Sequence, residues 1–165
     1  MSYRANALAA RFAALNDDII AAVDACDDDA GNRIAAAEAW PARVVAHHIA
    51  TSHKAFADAV EALAAGGDPL LRVSREAIDR GNAEQARANA TVGKEETLAL
   101  LRTNGAAAER AIRGLSDAQL DRVTPLFDGR ELTVAAVIES FVIGHPAGHL
   151  ASVRATIGEQ AAVAD

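Results

Sequence analysis

The sequence predicts an all-α domain built as an antiparallel four-helix bundle. Four long segments of the 165-residue chain place apolar residues three or four positions apart, which is the spacing of one helix face. Alanine, the residue with the highest helix propensity, supplies 42 positions, about half of the 51% that is hydrophobic. Aromatic residues make up only 4%, and the alternating β-branched runs of a sheet are missing.

The first two long helices have recognisable ends. The first is expected over Ser2–Cys26, and we expect the acidic run Asp27–Asp29 that follows it to be a solvated loop. The second is expected to begin near Trp40 and Pro41, because proline is tolerated at the first helical position. It is expected to end at Ala65, where two glycines follow.

A long connection separates the second long helix from the third. It covers Gly66–Val92, contains a polar helix expected over Ser74–Ala90, and either crosses the bundle or covers one of its ends. The third long helix is expected to begin at Gly93 or Lys94 and to end at Arg113. The capping-box pattern Ser116–Gln119 then starts a short helical turn.

The C-terminal part of the chain is expected to hold a loop and the fourth long helix. Thr124–Leu132 contains a proline and an Asp-Gly pair, so we expect a loop there. Thr133 caps a helix that extends to Ile157, and residues 159–165 are expected to fray. The length suits one domain over residues 1–165.

Composition argues against several classes of protein. The apolar stretch Val134–Ile143 is interrupted by Glu139 and is shorter than the ~20 residues that span a bilayer. The N-terminus lacks the apolar core of a signal peptide, and the single Cys26 fits a reducing compartment. A net charge of −7 argues against phosphate binding. We therefore expect a cytoplasmic protein that binds neither membrane nor nucleic acid.

All five histidines lie on two of the predicted helices. His48 falls inside the apolar stripe of the second helix, whereas His47 and His53 lie to either side and are expected at the surface or in a role supporting a ligand. On the fourth helix, His145 and His149 fall on the inward face, one turn apart.

Two imidazoles at i and i+4 can bind one divalent metal ion, and a third from a facing helix completes a three-nitrogen site. The positions left open would be available to water or substrate, as in catalytic sites. Zinc, nickel and iron(II) all suit such ligands. The alternative is a bundle without metal, in which the histidines pack in the core or line a small-molecule pocket. A ferritin-like di-iron site is excluded because the chain has no Glu-x-x-His pair.

Two motifs resemble the DinB-like superfamily. Trp40 precedes His48 by eight residues, and His145-x-x-x-His149 is followed at once by Leu150. A weaker match is Asn82 in the long connection. The resemblance implies a four-helix bundle with a long crossover between the second and third helices. It also implies that His48, His145 and His149 are the ligands of a divalent transition metal.

The resemblance also implies a range of functions. The superfamily includes damage-inducible proteins of unknown activity, the metal-binding domain of mycothiol-dependent maleylpyruvate isomerase, and enzymes that transfer bacterial low-molecular-weight thiols. We therefore expect a metal-dependent enzyme that transfers or isomerises thiol conjugates, with mycothiol or bacillithiol as the thiol, or that hydrolyses a small substrate. The alternative is a non-catalytic metal-binding or stress-response bundle. Many members are homodimers, so a homodimer is expected.

Pro146 departs from a regular helix, since it stands between the two histidines of the fourth helix. Proline has no N–H and its ring clashes with the carbonyl four residues earlier, here that of Val142. A kink or bulge is therefore expected beside the site. No general base can be assigned from the sequence, because Glu139 lies off the inward face.

Overall fold

The structure is a computed structural model that describes residues 2–72 and 74–158. Its elements are, in chain order, α1 (Tyr3–Ala25), α2 (Asp28–Gly31), β1 (Ile34–Ala35), β2 (Trp40–Pro41), α3 (Ala42–Ala64), a 3₁₀ turn (Pro69–Arg72), α4 (Arg75–Ala88), α5 (Lys94–Arg113), α6 (Asp117–Asp121), β3 (Val123–Pro125), β4 (Glu131–Thr133), α7 (Val134–Val137), a π-helical turn (Ile138–Ile143) and α8 (Gly144–Ile157). The last three form the fourth long helix beside α1, α3 and α5, so the predicted all-α four-helix bundle is confirmed. The predicted frayed tail, 159–165, lies outside the described residues.

Two apolar clusters at opposite ends of the bundle define the directions of the helices. Each cluster joins α1, α3 and α5. The first contains Phe12, Val60 and Ile112, and the second contains Ile19, Ile49 and Leu98. The start of α1 therefore packs against the ends of α3 and α5, and its end packs against their starts. Thus α3 and α5 run parallel, and the expectation of a wholly antiparallel bundle is wrong.

The parallel pair explains the long connection between α3 and α5. Because both helices point the same way, the chain must return along the bundle before α5 begins. It does so through the 3₁₀ turn and α4, a polar helix without a buried residue. The Arg43 guanidinium donates to the Ala90 carbonyl oxygen at 3.0 Å, which ties the end of this crossover to α3. The predicted crossover is confirmed.

The fourth long helix contains the predicted bulge. Its middle is a π-helical turn, after which the Gly144 N–H donates to the carbonyl of Glu139. A Cβ on Gly144 would lie only 3.1 Å from that carbonyl oxygen, so the close approach favours glycine. The turn restarts the α-helix at Gly144 and leaves Pro146 in the first turn of α8, where a missing N–H costs little.

Three short segments differ from the sequence-based expectation. The expected loop Thr124–Leu132 contains a hairpin, in which β3 pairs antiparallel with β4. Asp27–Asp29 is not a loop, because Asp27 caps the short helix α2 by accepting from the Ala30 N–H. β1 and β2 form a second hairpin directly before α3. Each element is two to four residues long, too short for periodicity to reveal it.

Val134–Ile157 is long and apolar enough to cross a membrane by length and composition alone. The core helix of a bundle passes the same test. Here Ile138, Val142 and Leu150 of this helix belong to the two apolar clusters of the bundle.

A buried polar contact joins three of the helices at mid-height. Asn16 of α1 donates through Nδ2 to the Leu101 carbonyl of α5 at 3.2 Å, so its Oδ1 accepts from His53 Nε2 of α3 at 3.1 Å. Gly105 of α5 makes room for this side chain, since a Cβ there would overlap the Asn16 amide nitrogen. The packing of Asn16 therefore requires glycine at position 105.

Gly105→Ala is expected to destabilise the fold by about 2 kcal/mol, because the added methyl displaces Asn16 and overpacks the core. Urea unfolding measures this loss. Gly81→Ala is the matched control, since this helical glycine of α4 faces open space and alanine should be neutral or stabilising there. Equal effects of the two changes would contradict the packing argument.

Candidate metal centre

His48 of α3 and the pair His145 and His149 of α8 meet in one cluster. Each ring offers a nitrogen, and these three nitrogens all lie within 4.8 Å of one another. The ring centroids of His145 and His149 are 4.4 Å apart, and those of His48 and His149 are 5.1 Å apart. The structure thus brings together the three histidines that the sequence singles out, although about a hundred residues separate His48 from the other two.

Aromatic side chains pack against the edges of two of these rings. Trp40, at the end of the first hairpin, meets His48 edge-on with a centroid distance of 5.7 Å. Phe56, two turns further along α3, meets His145 in the same way at 5.8 Å. Such contacts hold a ring in orientation. They give a physical reason for the eight-residue spacing between Trp40 and His48.

A chain of hydrogen bonds defines which nitrogen of His48 carries the proton. The Thr51 hydroxyl donates to the helix carbonyls of His47 and His48, so it can only accept from Gln85 Nε2, at 2.6 Å. Gln85 Oε1 therefore faces His48 Nδ1, at 3.0 Å, and accepts a hydrogen bond from the Nδ1–H group. Nε2 of His48 is left with a lone pair for the centre of the cluster.

Glu38 defines which nitrogen of His149 carries the proton. Its Oε1 lies 2.7 Å from His149 Nδ1, and its Oε2 accepts from the Ser152 hydroxyl at 2.6 Å. Burial alone would raise the pKa of Glu38, but the hydrogen bonds from Ser152 and His149 outweigh it, and the pKa is lowered. The ionised carboxylate accepts from Nδ1 and leaves Nε2 of His149 as the available nitrogen.

His48 and His145 keep their lone pairs at neutral pH. Burial lowers the pKa of His48, and it lowers the pKa of His145 to about 4. The neighbouring imidazoles add to both effects, since a proton on one ring repels a proton on the next. Neutral imidazole is the form that binds metal.

Comparison with known proteins gives the family. A model of the DinB superfamily matches residues 11–153. The chain belongs to the DinB superfamily. A search of curated proteins finds no match. Among solved structures, the chain is similar to YfiT from Bacillus subtilis with a TM-score of 0.75 and 19% identity, covering 97% of this chain and 91% of that one. YfiT is described as "a probable metal-dependent hydrolase with an unusual four-helix bundle topology".

In this DinB chain, the histidines of the fourth helix lie beside its buried stripe and not within it. Pro146, Leu150 and Val153 are the buried residues of α8, whereas His145 and His149 are half-buried. Both rings meet His48 of α3, as expected of residues on the inward face, but neither is fully buried. The π-helical turn adds a residue to the helix, which shifts everything after it relative to a regular 100° wheel.

His47 and His53 are not surface residues, so the surface alternative of that expectation is wrong. His47 is 4% exposed and His53 is 0% exposed. Both lie on α3, which is buried on two sides because it packs against α5 as well as α8. His53 joins the Asn16 contact and meets Phe12 edge-on, so it has a packing role. Neither belongs to the three-histidine cluster.

Sequence reasoning misses the two residues that support the cluster, Glu38 and Gln85. Glu38 stands in an alanine-rich hairpin, and Gln85 lies on polar α4 one turn after Asn82, the position matched by resemblance. Neither segment has a motif that would distinguish these side chains. Glu139 is confirmed off the inward face, since it is exposed and pairs with Arg11 at 2.8 Å.

Lowering the pH should reduce the free energy of unfolding of the metal-free protein, because its buried histidines resist protonation. The pKa of His53 is lowered to about 4 by burial, against about 6.5 in the unfolded chain. The unfolded state therefore binds more protons between these values, and the free energy of unfolding falls as pH drops. At pH 5 this group alone costs about 2 kcal/mol. Urea unfolding at pH 7 and pH 5 measures the loss.

The free energy of unfolding of His53→Gln should differ less between pH 7 and pH 5 than that of the wild type, because one titrating group is removed. Ile112→Val is the control, since it removes a buried methylene without a titratable group and should keep the wild-type difference. An unchanged difference in His53→Gln would contradict the assignment.

Proposed function

We propose that this DinB protein binds one divalent transition metal ion through His48, His145 and His149 and uses it in catalysis. The observation that carries the proposal is the convergence of three ring nitrogens within 4.8 Å. The hydrogen bonds of His48 and His149 to Gln85 and Glu38 add support, because they leave the opposite nitrogens as lone-pair donors.

The donor set fits such an ion. Three ring nitrogens within 4.8 Å of one another would suit a single divalent ion. Three imidazoles leave coordination positions open to water or substrate. Zinc, nickel and iron(II) all suit them. A metal ion held there would act as a Lewis acid and lower the pKa of a coordinated water or thiol.

The residues around the ligands have defined tasks in this proposal. Gln85 and Glu38 hold two rings in orientation, and Trp40 and Phe56 pack against ring edges and limit water. Hydrolysis of a small substrate is supported by the description of YfiT. Transfer or isomerisation of a low-molecular-weight thiol, such as mycothiol or bacillithiol, rests on the family resemblance alone.

A second candidate is a non-catalytic metal-binding or stress-response bundle. It is favoured by the placement of the acidic groups, since Glu38 has both oxygens engaged and Glu139 pairs with Arg11 on the surface. Neither carboxylate is placed to act as a general base. Assembly as a homodimer, implied by the resemblance, stays a prediction.

Removing one ligand should abolish metal binding, whereas removing its sequence neighbour should not. Wild-type protein is expected to bind one zinc ion per chain, and His48→Ala should weaken binding roughly a hundredfold or more. His47→Ala is the matched control and should stay within about threefold of wild type, because its ring lies outside the cluster. Titration against a chromophoric chelator measures the affinities, and circular dichroism checks folding.

Equal losses in the two variants would contradict the assignment of ligands. Failure of the folded wild-type protein to bind zinc, nickel or iron(II) would contradict the proposed function itself.

Turnover separates the two candidate functions. Metal-loaded protein is assayed with ester and amide substrates, and with electrophiles in the presence of mycothiol, bacillithiol or glutathione. Catalysis is expected in the wild type and should be lost in His145→Ala, since that variant lacks a ligand. Stoichiometric metal binding without turnover on any of these substrates would favour the non-catalytic bundle.

A further inference from the structure

The hairpin before α3 contains a backbone conformation that L-residues rarely adopt. Ala39 has φ 58°, and it is the non-glycine residue with positive φ among those the structure describes. Its N–H donates to the Ala35 carbonyl at 2.8 Å, which closes the turn between β1 and β2. Strain of this kind persists where the surrounding structure holds it, and it is common at functional sites.

The two neighbours of Ala39 both reach the histidine cluster. Glu38 hydrogen-bonds His149, and Trp40 packs against His48. A left-handed residue between them changes the direction of the chain, so that the side chains on either side of Ala39 reach two different rings. Ala39 itself is exposed and is not among the residues that contact these rings.

We propose that Glu38 is a positioning residue for His149, and that the strained turn at Ala39 serves to deliver it. This inference rests on the proposed metal site. The carboxylate holds the imidazole with Nδ1–H outward and Nε2 toward the cluster. It also supplies a negative charge beside neutral ligands, which favours a divalent cation.

Burial of the Glu38 carboxylate argues for a purpose beyond solubility. The side chain is only 10% exposed, and a buried carboxylate is costly unless it is hydrogen-bonded. His149 and Ser152 engage both oxygens from the same face of α8, one turn apart. Glu38 lies 111 positions before His149 and 114 positions before Ser152, so these bonds connect the hairpin directly to the last helix of the bundle.

The role is positioning and not proton transfer to substrate. Both oxygens of Glu38 are occupied, and the nearest reacting position lies on the far side of the His149 ring, at Nε2. The effect of Glu38 therefore passes through the imidazole, and its readouts are the tautomer of the ring and the affinity for metal.

The first test compares two substitutions of Glu38. Glu38→Ala removes both hydrogen bonds and the charge, and is expected to weaken zinc binding 10- to 100-fold. Glu38→Gln keeps an acceptor for His149 and a donor for Ser152 but loses the charge, so a loss of less than about tenfold is expected. Glu139→Ala, which removes an exposed carboxylate, should bind zinc as the wild type does.

A second readout needs no metal. Nitrogen-15 NMR of the histidine rings in metal-free protein should find His149 with its proton on Nδ1 in the wild type and in Glu38→Gln. In Glu38→Ala the proton should redistribute toward Nε2, because the acceptor for Nδ1–H is gone. Failure of zinc to bind the wild type would overturn the proposed metal site, whereas this tautomer measurement would still test the positioning role.

The hairpin offers a matched pair of variants. Ala36 and Ala39 are exposed alanines of the same turn, but only Ala39 is left-handed. A β-branched residue strongly disfavours positive φ, so Ala39→Val should weaken zinc binding about tenfold and disturb the His149 tautomer, whereas Ala36→Val should do neither. Wild-type zinc affinity and tautomer in both Glu38→Ala and Ala39→Val would overturn the inference.

Discussion

The hydrogen bonds on the outer nitrogens of His48 and His149 set the arrangement of the three-histidine cluster. The orientation of a metal-binding imidazole follows from the hydrogen bond that its outer nitrogen makes. Gln85 arrives on the crossover and Glu38 arrives on the first hairpin. The crossover and the first hairpin add little to the apolar core, but each supplies the hydrogen-bond partner of one histidine ring.

Helix topology makes this arrangement reachable. α3 and α5 are parallel, so the chain must cross the bundle between them, and the crossover passes over α3 beside His48. On the opposite side, the π-helical turn before Gly144 rotates α8, which leaves His145 and His149 half-buried beside the apolar stripe. A fully inward pair would be sealed in the core. The observed placement leaves both rings half-buried.

The histidines could be predicted because their type and spacing are visible in the sequence, as is the turn-forming effect of Pro146. The buried side of α3 could not be predicted well, because Ala46, Ala50 and Ala57 line it and alanine gives a weak apolar signal. A helical wheel therefore assigns His53 to the edge, although it is fully buried. Glu38 and Gln85 depend on contacts between distant segments, which periodicity does not report.

The most direct test of the central claim is an anomalous diffraction measurement on crystals of the protein grown with zinc or nickel. One strong peak is expected between Nε2 of His48, Nε2 of His149 and the ring of His145. A metal peak elsewhere at saturating metal, with no density between the three rings and with His48 and His149 still bonded to Gln85 and Glu38, would contradict the proposed site.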